Sequence, residues 1–256
     1  METLKNKIVF LTGATSGIGK ACAIEFAKAG VNLILCARRI EFLKTLANEI
    51  SKEHKIKTHF GKVDVRIKDE VDHFVDSLPA EFKGIDILVN NAGLSRGLEK
   101  FYEDDFNNWE EMIDTNVKGL LYVTNAVVPG MVERMNGHII NIGSVAGHEA
   151  YPKGGIYCGT KHAVDAITKS LRMDLIDKNI RVSTVDPGLV ETNFSNIRFH
   201  GDEERAKNVY KGLTPLTGKD VAEAVLFIAS RPAHVNIGEI IIFPTRQASA
   251  MIVHRE

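Results

Sequence analysis

The sequence has few of the features that mark secreted, membrane-spanning or nucleic-acid-binding proteins. It contains only three cysteines among 256 residues, Cys22, Cys36 and Cys158, and they lack the C-x-x-C spacing of a zinc or redox site. This odd number favours a reducing compartment over a disulfide framework. No segment reaches the roughly 18 consecutive apolar residues of a membrane-spanning helix, and no signal-peptide core follows the charged residues 1–7. We therefore expect a cytoplasmic protein without a membrane partner.

The sequence also has little net charge and little proline. The formal net charge is −1, and no run of Lys or Arg is long enough to follow a phosphate backbone, so nucleic acid is not an expected partner. The seven prolines are scattered and mark no linker between domains. With 44% hydrophobic and 25% charged residues, the composition is that of a globular protein. We expect one domain over residues 1–256, built around one large core.

Short β-branched segments alternate with longer amphipathic segments along the chain. Seven of them are predicted to be strands: residues 8–11, 32–37, 58–63, 85–89, 137–142, 180–185 and 239–243. Six others have the apolar spacing of helices: residues 18–29, 40–53, 67–78, 107–134, 153–178 and 219–230. This alternation predicts an α/β fold, a Rossmann-like doubly wound parallel sheet of about seven strands with helices on both faces. The polar residues 188–218 lie outside the alternation and are predicted to form a mobile lid.

A glycine-rich turn joins the first predicted strand to the first predicted helix. Its sequence is Thr12-Gly13-Ala14-Thr15-Ser16-Gly17-Ile18-Gly19. Glycines at such a turn let backbone N–H groups approach a pyrophosphate at a helix N-terminus. The spacing is G-x-x-x-G-x-G and no Lys-Ser or Lys-Thr follows, which argues against the P-loop of a kinase or ATPase. The turn is therefore predicted to bind a nucleotide; a tight turn without a ligand, or a mononucleotide cradle, is the alternative.

The end of the second predicted strand, at Arg38 and Arg39, indicates which nucleotide is bound. Enzymes that use NAD usually have an acidic residue there for the ribose 2′-hydroxyl, whereas arginine can bind a 2′-phosphate. The pair therefore favours NADP, although two solvated arginines at the start of a helix are the plainer interpretation. The third and fourth strands end at the same edge of the sheet, so we expect the residues after them to border the nucleotide: Asp64, Val65, Asn90, Asn91, Ala92 and Gly93.

Tyr157 and Lys161 are four residues apart in a predicted helix and share one of its faces. An ammonium fixed near a phenol favours the phenolate, and lowering the pKa of tyrosine by about three units needs roughly 4 kcal/mol. Because this spacing also arises by chance on surface helices, its weight comes from Ser144. That serine follows a predicted strand, and its hydroxyl could hold a substrate oxygen beside the phenol, although loop serines usually only form turns.

These motifs, in this order and spacing, resemble the classical short-chain dehydrogenase/reductase family over essentially the whole chain. The resemblance implies hydride transfer between NADP(H) and a small alcohol or ketone, with Tyr157 and Lys161 as the acid–base pair. It implies that Lys161 also holds the nicotinamide ribose. Asn116 would complete a catalytic tetrad by positioning a water that relays protons through Lys161; an internal hydrogen-bonded helix residue is the alternative. Contacts to the nicotinamide end are implied for Pro187, Gly188, Leu189, Val190 and Thr192.

Within that family, the chain resembles the NADP-dependent 3-hydroxy acid dehydrogenases, above all in residues 194–199 and 232–236. The resemblance implies a substrate such as serine, allo-threonine, another 3-hydroxy acid or malonic semialdehyde. Arg198 is the candidate for binding the substrate carboxylate, because an arginine fork fits that group; an exposed helix arginine is the alternative. Two other functions stay open: a reductase of another carbonyl, such as a 3-oxoacyl thioester, and a non-catalytic NADP-binding sensor. Residues 149–151 and 252–254 depart from the pattern and could change the pocket.

The remaining histidines and cysteines are not predicted to carry chemistry. No metal site is expected, because the histidines lack ligand spacing such as H-E-x-x-H. Most of them are interpreted as surface or capping residues, and Cys158 as a small buried side chain rather than a nucleophile. The predicted helices at 107–134 and 153–178 carry apolar residues on more than one face. In the family that the chain resembles, this accompanies a four-helix contact between subunits, so we expect a homotetramer.

Overall fold

The computed structural model describes residues 3–256, and a seven-stranded parallel sheet forms its centre. The strands are β1 (Ile8–Thr12), β2 (Asn32–Ala37), β3 (Thr58–Lys62), β4 (Ile87–Asn90), β5 (Gly137–Ile142), β6 (Ile180–Pro187), β7 (Val190–Glu191), β8 (Leu216–Thr217) and β9 (Glu239–Ile242). The order in the central sheet is β3-β2-β1-β4-β5-β6-β9, and β7 pairs with β8 separately. The predicted doubly wound parallel sheet is confirmed. Its strand order reverses between β1 and β4, which opens a crevice at the carboxyl edge.

Helices cover both faces of the sheet. They are α1 (Gly17–Lys28), α2 (Ile40–His54), α3 (Lys68–Asp76), α4 (Phe106–Ile113), α5 (Leu120–Glu133), α6 (Gly155–Asp174), α7 (Phe194–Arg198), α8 (Glu203–Asn208) and α9 (Gly218–Ala229). One hydrophobic cluster joins α1, α2 and α9 to one face of the sheet, and a second joins α3 and α5 to the other. The neighbouring residues Val9 and Phe10 of β1 belong to opposite clusters, as the two-residue period of a strand requires. Both faces are buried, which explains the nearly continuous apolar strands.

The predicted helix over residues 107–134 is interrupted in the structure. A π-helical segment, Asp114–Gly119, separates α4 from α5. Its side chains have long-range partners: Asn116 bonds to residues on two other segments, and a Cβ on Gly119 would press against the side chain of Val65. A change of helical period of this kind often accompanies a functional site. The spacing of apolar residues carries no information about these long-range contacts. It therefore predicted one continuous helix.

Residues 188–218, predicted as a polar lid, contain α7, α8 and the short β7–β8 pair. The α7 end of this segment is tied to the chain after β4, because the N–H of Gly97 donates to the carbonyl oxygen of Arg198 at 2.9 Å. The guanidinium of Arg96 also donates to the carbonyl oxygen of Ile197, at 2.5 Å. The segment therefore lies against the carboxyl edge of the sheet.

The structure also bears on the predicted positions of the histidines and on membrane-spanning helices. His138 is an exception to the interpretation of most histidines as surface or capping residues: it lies in the core on β5, and its Nε2 bonds to Ser183 Oγ at 2.9 Å. Its position on a strand that is buried on both faces explains the difference. No helix in residues 3–256 has both the length and the apolar character needed to cross a membrane.

Candidate active site

A cleft of about 420 Å³ lies at the carboxyl edge of the sheet. Most of the residues predicted to bind the cofactor line it: Gly13, Thr15, Ser16, Gly17, Ile18, Arg38, Arg39, Asp64, Val65, Asn91, Ala92, Gly93, Pro187, Gly188, Val190 and Thr192. Ser144, Tyr157 and Lys161 line it as well. Parallel strands all end at the same edge, so residues far apart in the sequence meet in one crevice.

Four predicted cofactor-binding residues lie behind the lining of the cleft: Ala14, Gly19, Asn90 and Leu189. Asn90 is buried and its Nδ2 donates to Thr124 Oγ1 and Asn141 Oδ1, each at 2.9 Å. A Cβ on Gly19 would overlap the carbonyl oxygen of Gly13, so this position shapes the turn. The contact of these four residues with a cofactor stays a prediction.

The glycine-rich turn is held open toward the cleft by its own backbone and by Asn91. Gly13 and Gly17 have φ angles of +68° and +54°, a left-handed conformation that side-chain-bearing residues rarely adopt. The side-chain amide of Asn91 donates to the carbonyl oxygens of Thr12 and Gly13, at 2.9 and 3.2 Å. The N-terminal turn of the 12-residue α1 follows directly, with backbone N–H groups that suit an anion. This geometry fits a pyrophosphate.

Arg38 and Arg39 have different surroundings at the mouth of the cleft. Arg39 Nη2 donates to Thr15 Oγ1 at 2.8 Å and to Ser16 Oγ at 3.0 Å, which holds its guanidinium over the glycine-rich turn. Arg38 is half-exposed and forms a long ion pair with Glu111, at 3.7 Å. Two cations beside the turn fit a ribose 2′-phosphate, and Arg39 is the better positioned of the two.

Two further arginines, not predicted from the sequence, pair with carboxylates near Arg38: Asp64, which lines the cleft, and Glu111, which also pairs with Arg38. Arg66 bonds to the Asp64 carboxylate through Nε and Nη2, at 2.9 and 2.6 Å. Burial raises the pKa of Asp64, but these bonds outweigh it and leave the pKa below its ordinary value. Arg96 Nε donates to Glu111 at 2.6 Å, and this bond is the main reason that the pKa of Glu111 is lowered. Both carboxylates therefore stay ionised, and each is paired with an arginine.

Ser144, Tyr157 and Lys161 meet at the inner end of the cleft. Tyr157 and Lys161, on α6, are buried, with 8% and 7% of their surface exposed. Lys161 Nζ donates to the carbonyl oxygen of Ile142 at 2.9 Å and lies 6.0 Å from the centre of the Tyr157 ring. Ser144 caps a short 3₁₀ turn, where its hydroxyl accepts a bond from the N–H of Ala146 at 3.1 Å. The structure thus brings together the serine, phenol and ammonium that the sequence analysis selected.

The protonation behaviour of this group differs from the expectation. Burial raises the pKa of Tyr157 well above its ordinary value, and the neighbouring Ser144 hydroxyl and Arg198 charge act in the opposite direction. Burial also lowers the pKa of Lys161 to about 8, with the charge of Asp186 opposing that change. The sequence predicted that Lys161 lowers the pKa of the phenol. The structure adds Arg198, whose guanidinium lies 5.4 Å from the centre of the phenol ring.

Asn116 is buried behind the inner end of the cleft, and protein groups occupy its side chain. Its Oδ1 accepts a bond from the N–H of Leu94 at 2.8 Å, and its Nδ2 donates to the carbonyl oxygen of Leu94 and to Thr160 Oγ1, at 2.8 and 3.0 Å. The side chain therefore clamps the chain after β4 to α6. Gly93 lies between it and the ammonium: a Cβ there would be 3.3 Å from Asn116 Oδ1 and 3.8 Å from Lys161 Nζ. The water-relay role stays a prediction.

Arg198 is half-buried at the end of α7, beside the phenol of Tyr157, although it does not line the cleft. Its Nε donates to Ser95 Oγ at 3.0 Å and its Nη2 donates to the hydroxyl of Tyr151 at 2.8 Å. A guanidinium has five N–H donors, and these two bonds fix its plane without using all of them. This is not the exposed helix arginine of the alternative interpretation. Tyr151 lies in the segment 149–151, where the sequence departs from the family pattern.

The inner cleft has an apolar wall that was not predicted from the sequence. Phe194 and Ile197 of α7 line it together with Leu94, and the rings of Phe194 and Tyr157 meet edge to face at 5.7 Å between centres. The spacing of Phe194 and Ile197, three residues apart, was the available signal, since such residues share a helix face. The surrounding polar residues obscured it, so the segment was predicted to form a lid carrying Arg198 but not an apolar wall.

Comparisons with known proteins agree with this geometry. Residues 7–202 match the short chain dehydrogenase family. The chain is 44% identical over 257 residues to the NADP-dependent 3-hydroxy acid dehydrogenase of Schizosaccharomyces pombe, covering 100% of this chain and 99% of the relative. It is also 44% identical over 251 residues to sulfoacetaldehyde reductase 2 of Chromohalobacter salexigens, covering 97% and 99%. The solved closed form of a serine dehydrogenase complexed with NADP+ is similar with a TM-score of 0.91 and 45% identity, covering 97% of this chain and 100% of that one.

Proposed function

Because this chain belongs to the short-chain dehydrogenase family, we propose that it is an NADP-dependent oxidoreductase acting on a small 3-hydroxy acid. Serine, allo-threonine and 3-hydroxypropionate are the substrate types. The names of the 3-hydroxy acid dehydrogenase and the serine dehydrogenase among its relatives support this. The observation that carries the proposal is the guanidinium of Arg198, half-buried 5.4 Å from the Tyr157 ring, where it could meet a substrate carboxylate.

The residues of the outer cleft fit NADP. The left-handed glycines Gly13 and Gly17 and the start of α1 would hold the pyrophosphate. Arg39, anchored by two hydroxyls, would bind the 2′-phosphate with help from Arg38. When bound, NADP+ supplies the acceptor for the hydride of the alcohol carbon. The predominantly apolar inner end would limit the access of water to the reacting atoms.

The inner residues supply proton chemistry in this proposal. In alcohol oxidation, the Ser144 hydroxyl holds the substrate oxygen, and the Tyr157 phenolate accepts the proton of the substrate hydroxyl. In carbonyl reduction, the Tyr157 phenol donates the same proton. Lys161 would hold the nicotinamide ribose and pass protons onward. Asn116 would contribute to the relay by fixing, through its side chain, the segment next to Lys161.

Arg198 would select substrates with an anionic group. A 3-hydroxy acid and sulfoacetaldehyde both carry that group one carbon away from the carbon that reacts. A fixed guanidinium near the phenol suits either anion, because its planar fork pairs with two oxygens. Reduction of a sulfonated aldehyde is therefore a second candidate function, favoured by the 44% identity to sulfoacetaldehyde reductase 2. A neutral carbonyl substrate would leave this cation unused.

We also propose a working form for the protein. The whole chain, residues 1–256, acts as one domain, with residues 188–218 as a lid whose α7 end contacts the site. Apolar side chains exposed on the π-helical region and its neighbours, Phe106, Ile113 and Leu121, support a contact between copies, and a homotetramer in the cytoplasm is the assembly we propose. Light scattering at micromolar concentration tests it, and a monomer throughout would contradict it.

A substrate panel tests the proposed function. The purified protein is given NADP+ with L-serine, D-serine, allo-threonine or 3-hydroxypropionate, and NADPH with sulfoacetaldehyde, a 3-oxoacyl thioester or a neutral ketone. The absorbance of NADPH is followed, and NAD(H) is run in parallel. We expect the highest kcat/KM for a 3-hydroxy acid with NADP+. A higher value for the thioester or ketone would contradict the proposal, and NADPH binding without turnover of any substrate would indicate a sensor.

A further inference from the structure

Three side chains that could bind a metal meet behind the cleft, beneath Ser144. His148 follows the 3₁₀ turn after β5, Asp186 lies near the end of β6 and Glu239 begins β9. His148 Nε2 is 3.5 Å from Asp186 Oδ2 and 3.3 Å from Glu239 Oε1, and the three atoms all lie within 4.8 Å of one another. Among residues 3–256, no other three His, Cys, Asp or Glu side chains form such a group.

Two atoms of this group are buried without a hydrogen-bond partner. The side chain of Asp186 is only 3% exposed; its Oδ1 accepts a bond from the N–H of Ser144 at 3.1 Å, whereas its Oδ2 accepts none. His148 Nε2 is buried without a hydrogen bond as well. A buried polar atom without a partner is costly, so a ligand that satisfies both atoms would be favoured. A proton shared between them would require the charge-assisted separation of about 2.7–2.9 Å, which is shorter than either distance observed.

The two distances from His148 Nε2, 3.5 and 3.3 Å, fit neighbouring ligands of a tetrahedral cation better than a shared proton, and Asp186 Oδ2 and Glu239 Oε1 lie within 4.8 Å of each other. Zinc ligands lie about 2.0–2.1 Å from the metal, which places neighbouring ligand atoms about 3.3 Å apart at the tetrahedral angle. One imidazole nitrogen and two carboxylate oxygens also form a donor set that zinc accepts. We propose that His148, Asp186 and Glu239 bind one divalent cation of the zinc type and leave its fourth position open.

The charges around the group allow a cation to bind. Lys161 and Lys169 are the nearby ammonium groups, and each has another partner: Lys161 donates to Ile142, and Lys169 pairs with Asp165 at 2.7 Å. Neither ammonium nitrogen therefore satisfies the two unpartnered atoms. The side chains of His148 and Glu239 are 23% and 32% exposed, so the group lies near solvent.

A cation at this site would act on the active site from behind. One oxygen of Asp186 would bind the cation while the other holds the backbone of Ser144. Gly143 is packed so tightly on Asp186 that a Cβ there would overlap Oδ1. His148 closes the same turn four residues after Ser144. Binding would thus fix the segment 143–148 without touching the substrate, and its first effect would be on stability.

Cobalt and zinc test the site directly. The protein is stripped of metal with a chelator and titrated with Co2+, whose visible absorption is strong in a tetrahedral site and weak in a six-coordinate one. We expect saturation at one equivalent, displacement by Zn2+, and a melting temperature about 5 °C higher at a Zn2+ concentration a hundred times Kd. Mg2+, which requires six oxygen-type ligands, serves as the negative probe.

Two variants and a matched control assign the ligands. Glu239→Gln keeps the shape of the side chain and should weaken Co2+ binding by about tenfold or more, as should His148→Gln, which is the second test if the first variant does not fold. His54→Gln is the control, because His54 also lies beside a carboxylate, 3.8 Å from Glu53, but has no third ligand. Unchanged Co2+ affinity in both variants, a six-coordinate spectrum or the absence of saturable binding would overturn the proposal. Loss of stability in the variants without any response to Zn2+ would overturn it too, because the three side chains would then stabilise the fold without a metal.

Discussion

The outer and inner ends of the cleft lie on the same sheet edge but use different physical means. The outer end is built from backbone: two glycines with left-handed φ angles, the first turn of α1 and strand ends tied by Asn91. Its cations are near solvent, as with Arg38, whose side chain is 49% exposed. The inner end is built from side chains, with Tyr157 and Lys161 nearly buried.

This difference determines how much each residue contributes. A charge near solvent is screened by water, so an exposed pair typically contributes 0–1 kcal/mol. A buried charge or proton donor acts at low dielectric, and its pKa moves, as the values of Tyr157 and Lys161 do. We therefore expect substitutions at the inner end to have the larger effects, and the following variants test that ranking.

The largest effect is expected for Tyr157→Phe. Only the proton donor disappears, while the ring that meets Phe194 edge to face is kept. The transition state should lose about 3 kcal/mol or more, which is a loss of at least about a hundredfold in kcat. NADPH affinity, measured by fluorescence titration, and the melting temperature should both stay near the wild-type values. A near-normal kcat would remove Tyr157 from the acid–base role.

The second effect is expected for Arg198→Met. Loss of a charged partner should lower kcat/KM on 3-hydroxy acids by about 2 kcal/mol, or roughly thirtyfold, while a neutral secondary alcohol of similar size loses much less. Arg205→Met is the matched control: it is also a lid arginine, stacked 4.6 Å from the Phe199 ring, but it pairs with Glu99 away from the phenol. Equal losses on both substrates in Arg198→Met would move the carboxylate site elsewhere.

The outer end was also the easier one to predict from sequence. The glycine-rich turn and the strand ends are local patterns, and the sheet topology alone brings them together. The interactions around Arg198 are not local: Ser95 and Tyr151, its two hydrogen-bond partners, come from separate segments of the chain. Likewise, the group formed by His148, Asp186 and Glu239 has no motif spacing, because it is assembled by neighbouring strand ends. Periodicity could not reveal the π-helical segment for the same reason.

The third effect, at the outer end, concerns cofactor choice. Replacing Arg38 and Arg39 together by Met should reduce the preference for NADPH over NADH by at least about tenfold, because each charge-assisted bond to a phosphate contributes roughly 1.5–3 kcal/mol. Between the single variants, Arg39→Met should have the greater effect, because Thr15 and Ser16 hold its guanidinium in place. The Michaelis constants for both cofactors measure this. An equal increase for NADPH and NADH would mean that the arginines are only structural.

The smallest effect is expected in the pH profile of Arg198→Met. This profile shows whether Arg198 stabilises the Tyr157 phenolate in addition to binding the substrate anion. Oxidation of a neutral alcohol needs the Tyr157 phenolate as base, so kcat should rise with pH to a plateau. Burial alone raises the pKa of Tyr157, so a plateau reached below the value of about 10 of a free tyrosine requires the positive charges of Lys161 and of the bound nicotinamide to outweigh burial. Burial opposes that ionisation, and the Arg198 charge favours it. Removing the cation in Arg198→Met should therefore shift the profile to higher pH, whereas Arg205→Met should leave it in place. A rate independent of pH between about 6 and 10 would contradict the phenolate base. A wild-type profile in Arg198→Met would limit this arginine to binding the substrate anion.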